Sequence, residues 1–279
     1  VLALTAMLTI PKNRGKMIGV VYTGFSGANV FGVPIGTMIG DTIGWRFTFL
    51  FIIIVSVIAG VLMMVYLPST SELNQVQRQW GSTSNKQLNT SKILRPAEVV
   101  KYLTITFLIL VANSVTFVYI NPLILNHGHQ MGFVSLALLV NGIAGVIGTS
   151  LGGILADKLS SKRWLIIAFS IFIVMMLIMN LILHTVTLLL IGLFIWNIVQ
   201  WSTNPAIQSG MIEHVEGDTS QVMSWNMSSL NAGIGFGGII GGLVVSNISV
   251  QAVTIVSAMV GAMGLIIVLS LKNMSYMRN

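Results

Sequence analysis

The chain has 279 residues, of which 54% are hydrophobic and 8% charged, and its mean hydropathy is +0.89. A soluble domain carries about a quarter of its residues as charged side chains, so an ordinary soluble enzyme, a disordered chain and a secreted disulfide scaffold are excluded. Fourteen Lys and Arg against seven Asp and Glu leave a net charge of +7, but these basic residues gather between apolar runs, and no nucleic-acid partner is expected. The chain has no cysteine, which removes disulfides, thiolate metal sites and cysteine nucleophiles.

Residues 1–10 are apolar but too short to cross a bilayer, which takes about 20 helical residues, and read as the cytoplasmic end of a truncated helix. Eight complete apolar segments follow, near 17–40, 45–67, 102–125, 132–156, 163–183, 186–208, 222–247 and 250–271. Each is long enough to span. The alternating strands of a membrane barrel are absent, and helices are the other way to satisfy the backbone in lipid. The fold class is therefore all-α, a polytopic membrane protein.

The polar stretch from Pro68 to Lys101, rich in Ser, Asn, Gln and Thr, reads as a linker between a partial N-terminal bundle, 1–67, and a C-terminal bundle, 102–279. Lys12, Arg14 and Lys16 precede the first span; Arg78, Lys86, Lys92, Arg95 and Lys101 lie in the linker; Lys158, Lys162 and Arg163 follow the fourth; Lys272 and Arg278 close the chain. If the helices alternate, all of these fall on one side and only Arg46 on the other, so that side, with the linker and C-terminus, is expected to be cytoplasmic. No Asp, Glu, Lys or Arg sits in the central part of a complete span, so a coupling carboxylate is expected outside this stretch.

Small residues recur at spacing four in Ala28, Gly32, Gly36 and Gly40, and again 205 positions later in Gly233, Gly237 and Gly241, which makes the two helices look like counterparts. A third stripe, Ala144, Gly148, Gly152 and Ala156, lets its helix approach a neighbour closely.

The run "KNRGKMIGVVYTGFSGANVFGVPIGTMIGDTIGWRFTF" resembles the fifth helix and the start of the sixth in drug/proton antiporters of the major facilitator superfamily. The likeness is to the group exporting sugars, purines and small drugs. The family's motif there is G-x-x-x-G-P-x-x-G-G; Ala28, Gly32, Gly36 and Thr37 take its small-residue places, while Pro34 stands one position late. Proline removes a helix hydrogen bond and permits a bend. "GGILADKLSSKR" is similar to the cytoplasmic-loop motif G-x-L-A-D-R-x-G-R-K, with Gly153, Asp157, Lys158, Lys162 and Arg163 matching and Ser160 and Ser161 departing. "SWNMSSLNAGIGFGGIIGGLVV" is similar to the eleventh helix.

The resemblance implies that the complete spans are family helices five to twelve, with the first three helices and most of the fourth absent. It implies alternating access between two helical bundles in a bacterial inner membrane, and a conformational latch at Asp157. The alternative for Asp157 is a solvated turn. In the family, helices seven and ten line the central cavity, so polar and aromatic side chains on one face of each are the candidates. On the tenth, Asn197, Gln200, Trp201 and Asn204 follow i, i+3, i+4 and i+7, with Trp196 and Gln208 nearby. On the seventh, Thr106, Asn113, Phe117 and Asn121 share a face, and Asn121 with Pro122 marks a break at the outer end. Asn29, Asn141, Asn226 and Asn231 are further candidates, with helix-to-helix hydrogen bonding as the alternative for each.

Amides and indoles suit a neutral or aromatic solute. The leading expectation is a proton-coupled exporter of a small organic solute such as a drug, sugar or purine, acting as a monomer in the bilayer without cofactor. An importer of sugars or nucleosides and a non-transporting fragment are the alternatives. No zinc-binding H-E-x-x-H, retinal lysine or G-x-x-x-x-G-K-[ST] loop is present, so an enzyme, a retinal protein and an ATP-driven pump are not expected. His127 and His129 flank Gly128 in an outside loop, where a pair of imidazoles can sense pH, but two ligands without a third do not make a metal site.

Overall fold

The computed structural model describes residues 28–66, 92–216 and 219–272. The expected helix remnant at 1–10, residues 17–27 of the first span with their flanking basic residues, and most of the linker lie outside the described residues. The chain divides into two compact units, residues 1–89 and 90–279. Among the described residues, seven helices are long and apolar enough to cross a membrane.

In the first unit a single π-helical turn, Ala28–Gly32, runs into α1 (Val33–Thr42), and α2 (Trp45–Tyr66) follows. Pro34 lies in the first turn of α1. Having no N–H, it cannot donate to the carbonyl four residues back, and the widened turn falls where the regular ladder is interrupted. The chain reverses at Gly44, whose φ of +117° suits glycine. The Thr48 hydroxyl then donates to the Gly36 carbonyl at 3.1 Å, and its side chain rests against Gly36 and Gly40. The small-residue stripe thus receives α2.

The second unit begins with strand β1 (Lys92–Ile93) and continues through α3 (Pro96–Phe117), the short α4 (Ile120–Leu125), α5 (Met131–Leu159), α6 (Ser161–Ile182) and α7 (Val186–Ile212). Strand β2 (Val215–Glu216), α8 (Ser220–Asn247) and α9 (Ala252–Leu269) complete it. α3 starts six residues before the expected 102, because Pro96 opens its first turn, where a missing N–H costs nothing. The expected span at 102–125 is broken at Val118 and Tyr119 rather than at Asn121 and Pro122. Pro122 cannot donate to the Val118 carbonyl, so the helix yields one turn before the proline and restarts with Pro122 inside its first turn.

Lipid gives helices no hydrophobic reason to associate, so close packing and hydrogen bonds must hold them. α5 crosses α7 at Gly148 and Gly152, where an added side chain would collide with the backbone carbonyls of Ile198 and Ser202. α8 crosses α3 in the same manner. A Cβ on Gly233, Gly237 or Gly241 would come within 2.7, 2.7 and 2.8 Å of the carbonyls of Phe107, Val111 and Val115. α9 packs on both α3 and α6, and α7 packs on α6. Exchanging α3, α5 and α6 for α7, α8 and α9 maps this set of pairs onto itself. With three helices per repeat, the copies run in opposite directions, giving an inverted internal repeat. The stripe on α8 therefore has its structural counterpart on α5, a pairing that spacing alone did not reveal.

Polar side chains sew the crossings. The Ser229 hydroxyl donates to the Leu103 carbonyl at 2.7 Å, and the Tyr119 hydroxyl to Gly238 at 3.1 Å, both joining α8 to the α3 side. Thr116 and Ser257 share a hydrogen bond of 2.6 Å between α3 and α9. Asn180 donates to the Gln251 carbonyl and to Thr254, tying α6 to α9.

Adjacent glycines make a controlled test of the close crossing. Gly152 faces the Ser202 backbone, whereas a Cβ on Gly153 would meet nothing within 4 Å. Gly152→Ala is expected to destabilise the protein by about 1–3 kcal/mol through overpacking. Gly153→Ala is expected to be neutral or to stabilise by about 0.5–1 kcal/mol. Thermal unfolding in detergent, monitored for both variants side by side, checks the pair.

Candidate functional site

The two crossings set α3 and α7 face to face, and their aromatic and amide side chains meet. Trp196 on α7 is completely buried, and its indole N–H donates to Asn113 Oδ1 on α3 at 3.1 Å. One turn further along α3, Phe117 meets the same indole edge to face, with ring centroids 6.4 Å apart. Phe117, Asn141, Leu193, Trp196 and Asn197 line a narrow crevice with aliphatic residues of α4 and α5. Asn197 is 2% exposed and turns its Nδ2 to the Leu193 carbonyl at 2.8 Å. Asn141, from α5, is also buried, and its Oδ1 has no hydrogen-bond partner.

A buried amide oxygen without a partner is costly, on the order of 1–3 kcal/mol. No residue of this lining is charged. The chemistry present at the crevice is therefore aromatic ring surface from Phe117 and Trp196 and hydrogen-bonding amides, with no formal charge.

The structure brings Asn113, Phe117, Asn141 and Asn197 together around Trp196. The sequence reading placed Trp196 only near the candidate stripe; its burial and its bond to Asn113 come from the helix crossing. The other candidates lie elsewhere. Asn226 is 2% exposed and its Oδ1 accepts the Thr106 hydroxyl at 2.7 Å, an α8-to-α3 link. Trp201 lies against Gly145 on α5, where a Cβ would come within 3.1 Å of the indole nitrogen. Gln200 is 2% exposed and does not line the crevice. Asn121 sits in the first turn of α4 with its Oδ1 buried and unpaired. Asn231 donates to the Met227 carbonyl one turn back on α8. Asn29 belongs to the π turn of the first unit, and its side chain lies outside the described residues.

At the basic end of the bundle, the segment 153–163 covers the end of α5, the single connecting residue Ser160 and the start of α6. Gly153 has open space beside it, and Asp157, Lys158 and Arg163 are exposed. Lys162 donates to the Leu271 carbonyl at the end of α9. Ser160 has φ +76° and ψ 148°, a conformation close to glycine-only. It stands where the loop motif carries its second glycine. The departure noted in the sequence thus falls on the one non-glycine residue with positive φ among those described.

A clasp that the sequence reading did not identify lies at the same end. Glu98, 4% exposed, accepts the Lys101 ammonium at 2.9 Å and the Lys272 backbone N–H at 3.1 Å, and Lys101 also donates to the Ser270 carbonyl at 2.9 Å. β1 pairs antiparallel with β2, Lys92 opposite Glu216 and Ile93 opposite Val215. The last residues before α3 are therefore fastened to the connection between α7 and α8. Among the described residues no group of three or more His, Asp or Glu is arranged to hold a metal ion.

A bundle of apolar helices, built as an inverted repeat around an uncharged crevice, defines an integral membrane protein of the solute-carrier type. Residues 1–219 match the family profile of the Major Facilitator Superfamily, and the chain belongs to that family. It is 30% identical over 268 residues to an uncharacterized MFS-type transporter, YbcL, of Bacillus subtilis (strain 168), covering 95% of this chain and 65% of that protein. It is 28% identical over 271 residues to a probable sugar efflux transporter of Helicobacter pylori (strain J99), covering 95% and 66%. An inner membrane transport protein, YdhP, of Escherichia coli (strain K12) is 26% identical over 272 residues, covering 95% and 67%. The chain thus spans about two thirds of the length of these relatives.

Two substitutions check the site's geometry. Ser160→Gly is expected to stabilise the protein by about 1 kcal/mol by removing the Cβ from a left-handed position. Asn113→Leu leaves the buried Trp196 N–H without its acceptor and is expected to cost about 1–3 kcal/mol. Thermal unfolding reads both.

Proposed function

We propose that this chain forms most of a secondary active transporter that exports a small, neutral organic solute in exchange for protons by alternating access. The carrying observation is the uncharged crevice lined by Phe117, Trp196, Asn197 and Asn141, the last a residue whose amide oxygen is buried without a hydrogen-bond partner. A neutral site fits a solute recognised by ring contact and hydrogen bonds. The name of the Helicobacter pylori relative, a probable sugar efflux transporter, supports the outward direction and a polar, uncharged class of solute.

The membrane is proposed to be a bacterial inner membrane, with the basic connections, the linker and the C-terminus on the cytoplasmic side. That orientation follows from the charges at Lys92, Arg95, Lys101, Lys158, Lys162, Arg163 and Lys272, which the alternating helices put at one end of the C-terminal unit. The partial N-terminal bundle at 1–67, the linker at 68–101 and the C-terminal bundle at 102–279 are proposed as its working parts, with the protein acting as a monomer. Asp157, Lys158, Lys162 and Arg163, with Gly153, are proposed as the cytoplasmic latch of the cycle. The stripe of Ala28, Gly32 and Gly36, bent at Pro34, is proposed as a moving contact. The central parts of the described spans carry no acidic or basic residue, so the coupling carboxylate is placed outside them.

Asn141→Leu tests the site. If Asn141 Oδ1 receives a substrate hydrogen bond, transport efficiency in proteoliposomes falls about tenfold or more, while the melting temperature does not fall, because the lost acceptor had no partner in the protein. Unchanged transport with a raised melting temperature assigns Asn141 to packing and removes it from the site.

A further inference from the structure

Three of the chain's four histidines converge at the end of the C-terminal unit opposite the basic turn, although one of them is more than fifty positions away in sequence. His127 and His129 lie in the connection from α4 to α5, and His184 in the turn from α6 to α7. The His127 and His184 rings stand edge to face with centroids 5.0 Å apart. His129 stacks on Phe133 at 4.8 Å and reaches the Leu183 carbonyl through Nε2 at 2.7 Å. His127 Nδ1 meets the Leu123 carbonyl at 2.9 Å. A carbonyl only accepts, so His127 carries its proton on Nδ1 and His129 on Nε2.

What surrounds these rings decides what protonation does. Within this unit, the connection from α4 to α5 holds His127 and His129, the turn from α6 to α7 holds His184, and the turn from α8 to α9 holds no ionisable side chain. The nearby Tyr119 hydroxyl donates to Gly238. No Asp, Glu, Lys or Arg lies between residues 118 and 133, 180 and 190, or 244 and 254. Protonation of both His127 and His184 therefore puts two like charges about one ring-width apart with no carboxylate on this end of the unit to offset them.

The contact joins the α4–α5 connection to the α6–α7 turn. α4 is six residues long, separated from α3 by the break at Val118 and Tyr119, and His127 follows it directly. α6 and α7 are long helices of the packed bundle. We propose that His127 and His184 form a pH-sensitive clip that holds the connection from α4 to α5 against the α6–α7 turn when neutral and releases it when both rings are charged. The orientation proposed above makes this the external end, so the clip reads external acidity; its titration does not depend on that orientation or on transport.

The test uses spin labels in the full-length protein in nanodiscs. These 279 residues contain no cysteine, and Asn126 and Thr185, beside the two histidines, are exposed. Labels are attached after Asn126→Cys and Thr185→Cys substitution, and their separation is measured by pulsed electron resonance at pH 8 and at pH 5. The clip predicts a longer-distance component that is larger at pH 5 than at pH 8, and its loss in His184→Gln and in His127→Gln, whose pH 8 distances match the parent and so report intact folds. A parent distance unchanged between the two pH values, or an equal shift in both glutamine variants, overturns it. Neither result bears on whether the protein transports, which the proteoliposome assay decides separately.

Discussion

Backbone against backbone is the contact on which the C-terminal unit depends. Helices surrounded by lipid gain nothing from merely hiding apolar surface, so they associate only where they can come close enough for dense packing and interhelical hydrogen bonds. Gly148 and Gly152 allow α5 to lie on the carbonyls of α7, and Gly233, Gly237 and Gly241 allow α8 to lie on those of α3. Because the two crossings are related by the inverted repeat, they fix α3 and α7 symmetrically. The juxtaposition of Asn113 with Trp196 follows from them rather than from any strong attraction of its own.

The distribution of polarity then separates the molecule's tasks. Between helices, hydroxyls and amides are matched in pairs such as Thr106 with Asn226 and Thr116 with Ser257. The Asn141 oxygen is among the buried polar atoms left unmatched, and its residue lines a crevice with two aromatic rings. Full charges are kept to the ends. In the C-terminal unit, Glu98 with Lys101 clasps the end of α9 at one end, and at the other His127, His129 and His184 are the ionisable side chains. The proposed neutral solute would meet this uncharged lining without a large desolvation cost, with the proposed proton chemistry left to groups elsewhere.

Much of the fold was legible in the sequence because membrane helices must satisfy their own backbone, which makes long apolar runs nearly unambiguous. The small-residue stripes were legible for a related reason: spacing four on a helix defines one face. What spacing does not contain is the identity of the facing helix. Asn141 and Asn226 look alike in sequence, yet one accepts a threonine hydroxyl and the other lines the crevice with its oxygen unpaired. The same limit explains why Gln200 and Trp201, on the stripe with Asn197, lie outside the crevice lining, and why His184 was not joined to His127. The break in the seventh family helix was placed at its proline, whereas the lost hydrogen bond acts one turn earlier. Ser160 was visible as a departure from a motif, but its meaning, a side chain where the backbone calls for glycine, required the φ angle.

The central claim is that a proton gradient drives a neutral solute through a site that itself carries no charge. Uptake into everted membrane vesicles from cells making the full-length protein tests it most directly, with a panel of uncharged sugars and nucleosides beside charged analogues of similar size. The account predicts that an imposed gradient, acidic inside, produces accumulation of an uncharged solute and that a protonophore abolishes it. Accumulation that is indifferent to the gradient, or confined to the charged analogues, would contradict it.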